Sequence, residues 1–166
     1  NANHELATVE VNTEDYAQLW IVEEGTTEGT VMFRNLESGR YAQSVAAYYT
    51  HWYADYAARD FYVGEIVAAT DDAPAYYYIS YEAISDVTKA QQSVMHQSNG
   101  YVVRWEQTNA SSQWAFVEVA VEANKLTALT ETWKDMASTK AAAMEELENL
   151  AKLSIYADAQ ASIEAV

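Results

Sequence analysis

Cysteine is absent from this chain, which removes both a disulfide framework and thiolate chemistry from consideration. The small stapled secreted folds are thereby excluded, while the compartment stays open. Basic residues are nearly as scarce: nine Lys and Arg stand against 25 Asp and Glu, a formal net charge of −16. Binding along a phosphate backbone calls for clustered Lys and Arg. Nucleic acid is therefore excluded as a partner, as is an anionic membrane surface, and neutral or cationic partners remain. No apolar run reaches the roughly 18 residues of a membrane-inserting segment, and no basic-plus-apolar targeting segment stands at Asn1. The motifs HExxH and GxSxG and a Gly-rich phosphate loop are all missing. The adjacent pair Asp71 and Asp72 lacks the spaced partners of a calcium loop. The chain reads as a non-enzyme without metal or cofactor.

What is present is aromatic and β-prone. Half of the 166 residues are apolar and 13% are aromatic, 13 of them tyrosine, enough to build a sizeable core. Up to about residue 121, short alternating runs rich in Tyr, Val, Ile and Thr predict strands and turns. In order they are IVEE after Trp20, VMFRN at Val31 to Asn35, YAQSV at Tyr41 to Val45, FYVGEIVA from Phe61, AYYYIS ending at Ser80, and VMHQ at Val94 to Gln97. Gly-containing GTTEGT, LESGR and SNG supply turns, and the sole proline, Pro74, falls in a loop. The pattern recurs. Aligning Thr8–Glu24, Ala47–Glu65 and Tyr101–Val119 makes Val11, Trp52 and Trp105 close equivalent runs, with Trp20, Phe61 and Trp114 opening the next strands. Three units of about four strands suggest a closed barrel capped by three hairpins.

From Glu122 the texture changes to Ala, Leu, Glu and Lys. Leu126, Leu129, Trp133, Met136, Ala143, Leu147 and Leu150 fall on helical spacing, interrupted by Lys140. A single helix, or a pair broken near Ser138 and Thr139, fits this pattern. Residues 1–121 thus form one domain, and 122–166 form a helical extension or the start of the next domain. The apolar stripe is expected to dock on the β domain or on a second copy. DAQASIEAV carries no cap, so the helix is expected to continue beyond it.

Gln18-Leu19-Trp20, with Gln113-Trp114 and Arg59-Asp60-Phe61 as altered copies, resembles the QxW signature of the ricin-B-like β-trefoils. The run from Trp20 to Tyr41, W-x-V-x-x-G…V-x-F-x-N-x-x-S-G-x-Y, is similar to such lobes. The resemblance covers about residues 1 to 121 and implies an all-β, pseudo-threefold β-trefoil followed by a C-terminal α-helical segment. The VMFRN-type strand occurs only twice, so about one strand is expected to be lacking at the N-terminus. The resemblance further implies a bacterial, secreted or cell-surface context. There the chain would be a non-catalytic, lectin-like module of a larger protein, binding a glycan or other neutral polysaccharide and contacting neighbouring domains. The alternative is a structural or protein-interaction scaffold without a small ligand.

Sugar recognition pairs an aromatic ring for the apolar sugar face with fixed polar groups for the hydroxyls. His96, Gln97, Asn99, Tyr101 and Arg104, on one turn and its exit strand, form the candidate pocket, joined by Gln43 and Tyr49. Gln43 and His96 stand where related lobes carry an Asp. Trp52 and Trp105 are expected in the core, as are Trp20, Phe61 and Trp114. Half of the clustered tyrosines are expected to face outward. His4, His51 and His96 fall near corresponding places, where the threefold axis is expected to hold them apart.

Overall fold

The computed structural model describes residues 4–44, 51–87 and 91–164, with the backbone alone at 130, 136, 137, 140 and 150–164. The chain divides into two units, Asn1–Ala120 and Val121–Val166. The first is mostly β. Strands β1 (Trp20–Glu24), β2 (Val31–Asn35), β3 (Tyr41–Gln43) and β4 (Tyr53–Asp55) form one four-stranded antiparallel sheet in chain order. Strands β5 (Tyr62–Val67), β6 (Tyr76–Ser80), β7 (Val94–Ser98) and β8 (Tyr101–Trp105) form the other.

The two sheets follow one plan. Arg34 faces Tyr41 in the first and Ser80 faces Val94 in the second. Ala42 faces Ala54 where Met95 faces Arg104, and Gln43 faces Tyr53 where His96 faces Val103. These pairs make Phe33 and Ile79 equivalent, Ala42 and Met95, and Trp52 and Val102. All six belong to one buried cluster with Phe61. The turn closing β7 onto β8 places Asn99 and Gly100 at positive φ, 51° and 84°. Ser98 faces Tyr101 across them, the two-residue geometry that Asn-Gly favours.

What joins the sheets is a ring of backbone hydrogen bonds. The Leu6 amide donates to the Trp52 carbonyl (2.8 Å), the Trp52 amide to Val102 (2.8 Å), and the Val102 amide to Leu6 (3.0 Å). Bridges Glu5 to Tyr53, His51 to Val103 and Ala7 to Tyr101 repeat the same threefold relation. Farther out, Val31 exchanges both backbone bonds with Phe61, and Tyr77 does so with Trp114. Among the described residues Trp20 makes no such bridge, and the described strands number eight.

The ring corrects the register expected from the sequence. The equivalents of Trp52 are Leu6 and Val102, not Val11 and Trp105. Trp52 is fully buried, whereas Val9 and Val11 are 65% and 84% exposed and Trp105 is half-buried. No strand forms at residues 8–11. After Thr8 donates to Gly100, the chain turns through Asn12 and Asp15 into a 3-10 turn at Tyr16–Gln18, so no neighbour covers the valines. Its Asp15 side chain accepts from the Ala17 amide, as Asn109 does from Ser111 before the matching turn Ala110–Ser112. Ser112, rather than Gln113, therefore occupies the place of Gln18. Trp20 and Trp114 are half-buried against the core, and Phe61 is buried, stacked 5.1 Å from Trp52. Trp114 opens no strand beyond its bridge, and its indole donates to the Met95 carbonyl at 2.9 Å.

The second unit is one helix, α1 (Ala123–Glu164). No break occurs at Ser138, whose hydroxyl donates back to the Asp135 carbonyl inside the helix. Of the apolar stripe, Trp133 is buried and Leu129 half-buried, while Leu126 and Leu147 are exposed. Met136 and Leu150 lie outside the described side chains. No described helix is long and apolar enough to cross a membrane.

Register can be tested by truncation. Trp52→Ala should cost about 3–5 kcal/mol of unfolding free energy, Trp105→Ala about 1–2, and Val11→Ala under about 0.5, read from urea melts. Equal losses at Trp52 and Val11 would contradict the ring.

Candidate functional site

Each strand of the ring alternates its side chains, so Leu6, Trp52 and Val102 enter the core and the residues before them point away. Those neighbours are Glu5, His51 and Tyr101, which the threefold bridges make equivalent. They meet. His51 Nδ1 lies 3.2 Å from Glu5 Oε1, and its ring stacks on Tyr101 with centroids 4.5 Å apart and planes inclined by 8°. The three remain accessible, the side chains of His51 and Glu5 at 36% and 37% and Tyr101 at 44%. The result is a stack of the Tyr101 and His51 rings edged by the Glu5 carboxylate, groups that suit a ligand with one apolar face and a rim of hydroxyls.

The residues singled out in the sequence are dispersed by the β7–β8 register. His96 pairs with Val103 and Ser98 with Tyr101, so His96 and Tyr101 share one face of the hairpin. Gln97 pairs with Val102 and Met95 with Arg104, which puts Gln97 and Arg104 on the other face. Asn99 sits exposed at the turn. Arg104 donates from Nε to the Gln92 carbonyl and lies over the Tyr81 ring at 5.0 Å. Gln43 is buried and donates to the Ala57 carbonyl. Tyr49 lies outside the described residues. Neither His51 nor Glu5 belongs to the pocket read from the sequence. The signal that could have found them is the Leu6–Trp52–Val102 register, which brings equivalent positions together at the axis instead of holding them apart.

His96 is a core residue. It is 9% exposed, tilted against Trp105, and its Nδ1 lies 2.9 Å from Ser112 Oγ. The Ser112 hydroxyl donates to the Glu106 carbonyl at 2.7 Å, so it accepts from the imidazole and Nδ1 carries the proton. A serine whose proton is held by a carbonyl, buried beside a histidine donor, has the wrong polarity for a nucleophile. Among the described residues no group of three His, Asp or Glu is placed to hold a metal ion.

Several tyrosines are engaged at the ring, and Tyr41 also at its hydroxyl. Tyr41 donates to Glu23 Oε2 at 3.0 Å, and burial followed by that bond pushes its hydroxyl pKa up. Tyr78 is buried, its ring pressed on Gly64, where a Cβ would come within 2.4 Å of it. Tyr76, Tyr77 and Tyr81 are half-buried rather than alternating cleanly outward.

Burial disfavours the imidazolium and lowers the His96 pKa below 6.5, with the Glu106 charge opposing more weakly. The unfolded chain then takes up the proton at a higher pH than the folded one. Stability should be full above about pH 6.5, fall as the pH drops below it, and level off beneath the folded value. His96→Gln should flatten that part of the profile relative to the native chain in urea melts between about pH 7.5 and 5; an unchanged slope would place the proton elsewhere. No family model, curated protein or solved structure matches the chain.

Proposed function

We propose that this chain is a non-catalytic carbohydrate-binding module with a ricin-B-like β-trefoil, carried by a larger extracellular or cell-surface protein. The trefoil reading is supported by the backbone ring at Leu6, Trp52 and Val102 and by the two sheets of matching register. It is supported also by the equivalent outer bridges at Phe61 and Trp114. The observation that carries the binding reading is the exposed platform in which Tyr101 stacks on His51 beside the Glu5 carboxylate. A neutral glycan suits it, since a chain of net charge −16 repels polyanions at long range.

The second reading, a scaffold without a small ligand, is favoured by one specific observation. Gln43 and His96, at the positions where related lobes keep a sugar-binding Asp, are buried and hydrogen-bonded internally.

A glycan-array screen of the purified chain separates the two. Tyr101→Ala should weaken binding by about tenfold or more through loss of the stacking ring. His96→Ala should leave affinity unchanged while lowering stability by about 1–3 kcal/mol. Silence across the array from a folded chain would favour the scaffold.

A further inference from the structure

Each of the four arginines lies over a tyrosine ring: Arg34 over Tyr41 at 5.1 Å and Arg40 over Tyr56 at 4.9 Å. Arg59 and Arg104 share one ring, that of Tyr81, at 5.1 and 5.0 Å. Arg34 has a counter-ion in Glu23 at 3.6 Å. Among the described residues no carboxylate lies within 4.0 Å of Arg59 or Arg104. In a chain with 25 acidic residues, two of the nine cations are thus held half-buried on one ring without an ion-pair partner among the described residues, with Glu82 the acid that acts on that ring.

The ring does not neutralise them. Burial pushes the Tyr81 hydroxyl up, Glu82 adds to that, and Arg104 and Arg59 oppose it, so the phenol stays uncharged at neutral pH. Each about 5 Å from the same ring centre, the two guanidinium carbons lie within about 10 Å of each other; like charges at that range repel, and an anion bound there lowers that cost. Arg104 is oriented through Nε by the Gln92 carbonyl, which leaves its terminal amino groups as the donors for a ligand. A carboxylate, planar with two acceptor oxygens, matches the guanidinium fork. The net charge of −16 weighs more heavily against a dianion than against a monoanion. Screening confines that repulsion to about 8–10 Å at physiological salt, so contact with the arginines prevails at the site.

We propose that Arg59 and Arg104, gathered on Tyr81, form a binding site for a carboxylate group, supplied by a uronic acid sugar or a small aliphatic acid. The site goes beyond the neutral-glycan platform and does not rest on it. Arg104 occupies the face of the β7–β8 hairpin opposite to Tyr101.

The test is titration of the isotope-labelled full chain with sodium glucuronate, sodium acetate and methyl glucoside, following the arginine Nε–Hε and the amide resonances. Glucuronate or acetate should shift the Arg59 and Arg104 signals saturably, and methyl glucoside should not. Arg59→Gln should weaken that binding about tenfold or more, Arg59→Lys should give a smaller loss, and salt at about 0.5 M should weaken it further. Equal affinity for the two carboxylates assigns the site to the group alone, while preference for glucuronate assigns it to an acidic sugar. No saturable shift by either carboxylate, or unchanged affinity in a folded Arg59 variant, would overturn the site. Shifts at Tyr101 with methyl glucoside report on the neutral platform separately.

Discussion

Three backbone hydrogen bonds, running from Leu6 to Trp52 to Val102 and back to Leu6, are the constraint on which the β unit depends. Buried amides and carbonyls must be paired, and three strands meeting at one axis can pair only by each donating to the next. That closure fixes the parity of each strand at the axis. A large indole on one strand is matched by smaller Leu6 and Val102 on the others, and Trp52 Nε1 is buried with no acceptor among the described residues. The value of that side chain therefore lies in the apolar area it buries against Phe61 and its neighbours. The same parity turns Glu5, His51 and Tyr101 away from the core and toward one another, so the platform follows from the packing that fills the centre.

Outside the ring, polar side chains tie the sheets together. Asp60, just before β5, accepts from the amides and hydroxyls of both Thr26 and Thr27 in the β1–β2 loop. Those hydroxyl bonds, ahead of the amide bonds, hold its carboxyl well below the usual range. Asn35 does the same within the first sheet, donating to the carbonyls of Ala17 and Leu19 while accepting from Ser38. In the second sheet Ser80 and Ser93, both fully buried, bond to each other at 2.8 Å. In the shared register Ser80 and Ser93 stand where the first sheet has Arg34 and Arg40, so equivalent places are served by different chemistry and recurrence in the sequence is weak where the structural symmetry is strong.

The arginine–tyrosine contacts give the tyrosine abundance a physical use beyond strand propensity. A guanidinium over a ring keeps a charge partly desolvated at modest cost, and all four arginines use it. Binding at the two surfaces would draw on different physics: stacking and hydroxyl bonds at Tyr101, paired cations at Tyr81. Facing apart on one hairpin, they are independent features of it.

The class of structure was legible in local pattern alone. Alternating runs placed β2 at Val31–Asn35 and located β1, β3 and β5 to β8, though the run read as closing at Trp52 missed β4 at Tyr53–Asp55; SNG marked a turn, and the loss of Gly and Pro from Glu122 marked the helix. Those are local properties, legible because period and turn chemistry act over a few residues. The register among the strands, and with it the identity of the platform, came only with assembly. Val11 and Trp105 look equivalent to Trp52 when runs are aligned by spacing, yet loops of unequal length separate the strands and spacing does not transmit pairing. Only the long-range hydrogen bonds select Leu6 and Val102, bury Gln43 and His96, bring Arg59 and Arg104 to the Tyr81 ring, and set His51 against Tyr101. Those choices depend on which backbone groups must satisfy one another at the axis, a condition that exists only once all the strands have assembled.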